Sequence, residues 1–164
     1  MSLQTDGNEN AAEATATRRA ANGRVSTGIN GLDEILKGGL IGGRSYLVRG
    51  GPGSGKTTLG MHFLTNGCEN GEPALFISLS EPAERLRENA GKLGLDARGI
   101  TFLDLSPDAD CFSETQSYDL FSAAEVEREP TTRKIIAEVE RLHPTRVFID
   151  SLTQFRYRTK GDRR

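Results

Sequence analysis

Apolar and polar positions along the chain change period several times, and each change marks an element. Ala74-Leu75-Phe76-Ile77-Ser78-Leu79 is a near-continuous apolar run, which suits a strand buried on both faces of a parallel sheet. Shorter runs at Tyr46–Arg49, Ile100–Leu105 and Arg146–Asp150 predict further strands. Between them the period lengthens to three and four. Thr57–Asn66 predicts a helix, with Leu59, Phe63 and Leu64 available for its buried face. Ser80-Glu81-Pro82 opens a second helix, in which Leu86, Ala90 and Leu93 recur at helical spacing before Gly94 closes it. Residues 131–143 carry Ile135, Ile136, Val139 and Leu142 on one stripe, and Pro144 stops that helix. Near the start, Leu32, Ile35 and Leu36 form the apolar face of a short helix that Gly38-Gly39 terminates. Strands alternating with helices predict a mostly parallel α/β sheet joined by right-handed crossovers.

The remaining stretches have no such period. Residues 1–23 hold no large aliphatic side chain between Leu3 and the end of the stretch, and read as a disordered leader with a weak helical tendency over 11–21. Residues 106–130 dissolve into Asp, Ser and Glu with isolated Phe112, Tyr118 and Phe121. They read as a long connection with a short helix near 123–128. The chain has 164 residues, enough for one domain with a real core. Its 21 basic and 23 acidic side chains leave a net charge of −2, which gives no general pull toward nucleic acid or membrane. No apolar run is long enough to span a bilayer and no signal-peptide core is present, so a cytoplasmic protein is expected. Cys68 and Cys111 stand apart, without metal-ligand spacing, and read as reduced thiols. The last nine residues carry five basic groups against one acid, a solvated tail before anything else.

Chemistry concentrates in Gly50-Gly51-Pro52-Gly53-Ser54-Gly55-Lys56-Thr57-Thr58, which fits the P-loop pattern G-x-x-x-x-G-K-[ST] from Gly50 to Thr57. A phosphate chain needs many N–H donors at close range, and glycines leave the backbone bare enough to supply them. Lys56 would bring a point charge to the β/γ-phosphates, and the Thr57 hydroxyl is a hard oxygen ligand for Mg²⁺. The helix that follows aims its partial positive end at the same place. Asp150 ends an apolar strand, where an acid either orders the Mg²⁺ water shell or caps the next turn. Glu81 stands where the second strand meets its helix. It either polarises the water that attacks the γ-phosphate or serves as a helix-start acid.

Several blocks together resemble KaiC-type ATPases of the RecA superfamily. They are Ser26-Thr27-Gly28-Ile29-Asn30-Gly31-Leu32-Asp33, the Gly38-Gly39-Leu40 turn, the P-loop with Thr57-Thr58-Leu59, Phe63-Leu64, Phe76-Ile77-Ser78-Leu79-Ser80-Glu81, Leu93-Gly94 and Arg146-Val147-Phe148-Ile149-Asp150-Ser151-Leu152. Thr153-Gln154-Phe155-Arg156-Tyr157 further resembles single-domain KaiC-like proteins. The resemblance implies a RecA/KaiC-like P-loop domain over 24–158, followed by a basic tail over 159–164, with the sheet incomplete at the C-terminus. It implies ATP and Mg²⁺ as ligands, Gly50 to Thr58 as the phosphate loop, Thr57 and Asp150 at the metal, and Lys56 and Glu81 as the catalytic pair. An acidic pair closes the second strand in that family, and here the first member is Ser80. A hexameric ring and a signalling or clock-like regulatory role are also implied. Two other readings stand beside ATP hydrolysis. One is a nucleotide-binding module that does not turn over; the other is a DNA-acting recombinase or helicase, for which no DNA-binding element is visible.

Overall fold

The computed structural model describes residues 23–107 and 128–152, with the side chains of 128–130 excepted. In chain order the elements are β1 (Arg24–Val25), α1 (Asn30–Ile35), β2 (Leu40–Ile41), α2 (Lys56–Glu69), β3 (Ala74–Ser78), α3 (Ala83–Lys92), β4 (Ile100–Asp104), α4 (Arg128–Leu142) and β5 (Arg146–Asp150), with a short 3₁₀ turn at Ala97–Gly99. Strands β4, β3 and β5 form a parallel sheet in that order, and β1 pairs with β2 antiparallel.

All five residues of β3 are buried, as an unbroken apolar strand in the middle of a sheet requires. Their alternation sorts the core into two layers. Ala74 and Phe76 face Met61 and Leu64 of α2 and Leu86 and Ala90 of α3. Leu75 and Ile77 face the other way, toward Ile135, Val139 and Leu142 of α4. Phe76 is flanked by Phe102 and Phe148, each with ring centroids 5.4 Å away. The register aligns Ser78, Asp104 and Asp150 in one row, so all three strands end at the same edge. Chain segments leaving that edge therefore meet there, as ligand-binding segments of parallel sheets do.

Several expectations change. Tyr46–Arg49 forms no strand: the segment pairs with nothing among the described residues, and Leu47 is 70% exposed. The outer edge of β5 is unpaired among the described residues, and the segment does not dock on it. Instead the Tyr46 hydroxyl accepts from Ile41 N–H at 2.8 Å, holding the segment to β2. Helix α1 has only six residues and buries none of them, with Ile35 78% exposed. Leu93 is the C-cap of α3 and 55% exposed, and Ile136 points away from the stripe that α4 buries. On α2 Leu64 is buried and Phe63 packs against the core as expected, but Leu59 is only half-buried, and Gly60, Met61, Thr65 and Gly67 complete the buried face. The leader over 1–22, the connection over 108–127 with Cys111 and its short helix, and the tail beyond 152 lie outside the described residues.

Candidate functional site

The P-loop turns into α2 through Gly55, which takes φ 82° and ψ 16°, a left-handed conformation that suits glycine. Among the described residues no side chain caps the helix, and no acid stands in its first turn. The first N–H groups and the positive end of a 14-residue helix are thus left for an external anion. Gly50 to Gly55, Pro52 and Ser54 included, are exposed, while Thr58 is half-buried in the first turn. Lys56 folds back over its own loop. Its Nζ donates to Gly51 O at 2.8 Å, Gly50 O at 3.1 Å and Ser54 Oγ at 3.3 Å. The ammonium therefore sits beside the loop backbone, where a bound phosphate would find it.

Thr57 and Asp150 are 93 residues apart in sequence, and the fold brings them into contact: Thr57 Oγ1 donates to Asp150 Oδ2 at 2.5 Å. A hydroxyl and a carboxylate converging beside a phosphate loop are hard oxygen donors of the kind Mg²⁺ prefers. The donor set fits that ion. Leu79 N–H donates to Asp150 O at 2.7 Å, fixing the end of β5 to the end of β3. Two residues beyond Leu79 stands Glu81, whose backbone is clamped: Ser78 Oγ donates to Glu81 O at 2.5 Å, and Glu81 N–H donates back to Ser78 Oγ at 3.3 Å. Glu81 is half-buried, and Ser80 before it is exposed. Asp104, the third residue at this edge, has a structural task. It accepts from Ala83 N–H at 2.7 Å at the start of α3, and from Ser106 Oγ at 2.6 Å. Burial opposes its charge, but these bonds and the nearby Arg87 hold its carboxyl below the ordinary range.

Two residues acquire roles that sequence reasoning did not give them. Arg146 opens β5 at 3% exposure, with its Nε and Nη2 on the two carboxylate oxygens of Glu72 at 2.8 and 3.1 Å. Its Nη1 donates to Ser26 O and Phe63 O, both at 2.8 Å, and to Asn66 Oδ1 at 3.3 Å. One guanidinium thus ties β5, α2, the approach to β3 and the N-terminal block together. The signal for it was a charge heading an otherwise apolar strand. Asp33 accepts from Ser26 Oγ at 2.6 Å, Thr27 Oγ1 at 2.7 Å and Thr27 N–H at 2.8 Å. Burial pushes its carboxyl up, and these donors outweigh that and hold it below the usual value. The knot seats Gly28 against α2 so closely that a Cβ would lie 2.7 Å from His62 O, at a φ of +78°.

No described helix is long and apolar enough to cross a membrane. Residues 25–164 match the family described as "ATPase: KaiC". Among curated proteins, the chain is 32% identical over 135 residues to a UPF0273 protein of Pyrococcus furiosus, covering 79% of this chain and 55% of that protein. It is 34% identical over 139 residues to a UPF0273 protein of Methanopyrus kandleri, covering 79% and 54%. It is also 34% identical over 137 residues to the "Circadian clock oscillator protein KaiC" of Parasynechococcus marenigrum, covering 79% of this chain and 25% of that protein. The chain spans about half the length of the UPF0273 relatives and about a quarter of the clock protein. With a matched family, an α/β fold with a parallel sheet, and a P-loop set against the end of β5, the chain belongs to the KaiC-type ATPase family.

Proposed function

We propose that this chain binds ATP with Mg²⁺ at the P-loop and hydrolyses it, in a signalling or clock-like regulatory role. The observation that carries the reading is the contact between Thr57 Oγ1 and Asp150 Oδ2 at the mouth of an uncapped helix. The amides of Gly50 to Thr58 would cradle the phosphates, and Lys56 would exchange its loop carbonyls for the β/γ-phosphate oxygens. Thr57 and Asp150 would hold Mg²⁺, which supplies charge neutralisation on the transferring phosphate when bound. Glu81, its backbone clamped by Ser78, would accept a proton from the attacking water. Relatives of the RecA type work as rings, so a homo-oligomer, hexameric by resemblance, and a cytoplasmic location belong to the same proposal.

One observation favours a second reading. Directly after the β3 run stands Ser80, an exposed hydroxyl with no capacity to act as a base at neutral pH. Binding without turnover would make the chain a nucleotide-dependent regulatory module.

The test is ATP binding and turnover with Mg²⁺ by the wild type, Lys56→Ala and Glu81→Gln. Lys56→Ala is expected to lose both signals, and Glu81→Gln to bind but not turn over. Binding with no wild-type turnover would select the regulatory module. No binding by the wild type would refute the proposal.

A further inference from the structure

The contact between α2 and β5 is a ladder of three rungs, and only the last of them belongs to the proposed site. Arg146, Phe148 and Asp150 alternate along β5 and so share one face of the strand. Across from them on α2 stand Gly67, Gly60 and Thr57, in reverse order. A Cβ at Gly67 would lie 2.6 Å from Arg146 Cδ and 2.8 Å from Nε. A Cβ at Gly60 would lie 2.5 and 2.6 Å from Cδ1 and Cζ of the Phe148 ring. The third rung is the bond from Thr57 Oγ1 to Asp150 Oδ2. Four strand steps cover about 13 Å and ten helical residues about 15 Å, so the two outer rungs span similar lengths of helix and strand, with Gly60 set nearer to Thr57 along the helix than Phe148 is to Asp150 along the strand.

Neither upper rung can slide. Arg146 is held by Glu72, Ser26, Phe63 and Asn66, with its guanidinium 4.8 Å from the centre of the Phe63 ring. The Phe148 ring is wedged against Phe76 at 5.4 Å. Real Cβ atoms essentially never approach as closely as either glycine would require. The helix therefore meets the strand at the separation that two hydrogen side chains permit, and that separation is what lets a short hydroxyl on α2 reach a short carboxylate on β5.

We infer that Gly60 and Gly67, with Phe148 and Arg146, are positioning residues that set the distance between the Thr57 hydroxyl and the Asp150 carboxylate, and thereby the gain in nucleotide affinity that Mg²⁺ confers. This rests on the proposed reading of the P-loop as an ATP site. It adds that the metal dependence is fixed by a helix–strand contact remote from the phosphates, whereas the amides of the loop bind phosphate independently of it.

The test measures the dissociation constant of ATP in Mg²⁺ and in EDTA for the full 164-residue chain, and takes the ratio. Loss of folded protein scales both constants alike and leaves the ratio unchanged. In Gly60→Ala the ratio is expected to fall about tenfold, the scale of lost support around a metal ligand, with the EDTA value held within twofold. Adding Phe148→Leu to Gly60→Ala makes room for the new methyl and should restore most of the ratio. Gly91→Ala, in an exposed part of α3 where a Cβ meets nothing within 4 Å, should leave it unchanged. Should Gly60→Ala not fold, Phe148→Leu alone supplies the answer: a loosened rung lowers the ratio in the folded protein. An unchanged ratio in folded Gly60→Ala or Phe148→Leu, or a fall in the EDTA affinity equal to that in Mg²⁺, overturns the inference. A wild type that binds ATP in neither buffer refutes the nucleotide reading itself, a separate outcome.

Discussion

Replacing Glu72 by Gln leaves the shape of the Arg146 clamp almost intact and removes the carboxylate that faces the guanidinium. Arg146 is 3% exposed and its partner 25%, so the guanidinium depends on the protein for nearly all of its solvation. Breaking a buried pair from one side costs about 3–5 kcal/mol, because the remaining charge stays buried and uncompensated. Two features reduce that here. Three acceptors, Ser26 O, Phe63 O and Asn66 Oδ1, stay on Nη1, and Glu72 itself keeps some contact with water. We therefore expect Glu72→Gln to cost about 2–4 kcal/mol. At roughly 2–4 °C per kcal/mol for a chain of this size, thermal unfolding should fall by about 5–15 °C. Urea denaturation gives the free energy directly, and the loss should be nearly independent of salt. The exposed pair between Arg141 and Glu138 is the internal comparison, since its two side chains are 64% and 19% exposed. Glu138→Gln should cost no more than about 0.5 kcal/mol, and less in high salt. Arg146→Met will itself be costly, but adding Glu72→Gln to it should add little, because the charge that needed Glu72 is gone. If Glu72→Gln shifts the urea midpoint no further than Glu138→Gln, the argument from burial is wrong.

Asp33 is held below its ordinary carboxyl value of 3.8, so its contribution to stability is complete above about pH 5 and fades as the pH falls through 3.8 toward the folded value. Asp33→Asn should lower the urea midpoint at pH 7 and flatten its decline between pH 5 and 3. The Thr65 hydroxyl is buried without a hydrogen-bond partner among the described residues. Thr65→Val should accordingly be neutral or stabilise by up to about 1 kcal/mol in the same assay, and a loss above that would mean the hydroxyl is satisfied. Gly91 lies in α3 with open space around it, so Gly91→Ala should stabilise by about 0.5–1 kcal/mol. A destabilisation there would mean that the surroundings of α3 are more crowded than the structure has them.

What could be read from the sequence was what neighbouring residues decide among themselves. The 74–79 run declares a doubly buried strand because every position is apolar or small, and β3 is buried throughout. The P-loop is contiguous, so its glycines, Lys56 and Thr57 can be recognised without knowing what surrounds them. Features settled by distant partners were hidden. Tyr46–Arg49 has the composition of a strand, but composition cannot supply a neighbour, and the segment has none among the described residues. The packed face of α2 was legible only in part: Leu64 is buried and Phe63 packs against the core as their size suggests, but pattern reading counts large apolar side chains, and this face also turns on Gly60 and Gly67, which have none. Arg146 looked like a strand boundary. Its partners at Ser26, Phe63, Asn66 and Glu72 lie 74 to 120 residues away, beyond any local window.

The pairing of Gly60 with Phe148 also constrains the order in which this sequence can change. A methyl at position 60 is excluded while a phenyl ring occupies position 148, yet a smaller residue at 148 leaves space that a larger residue at 60 can fill. Mutational paths between differently packed versions of this contact therefore run one way: the ring must shrink first and the glycine enlarge second. The same pair of substitutions taken in the opposite order passes through a chain with two groups in one volume. Position 60 is thus a residue whose tolerated alphabet is written far downstream, at position 148.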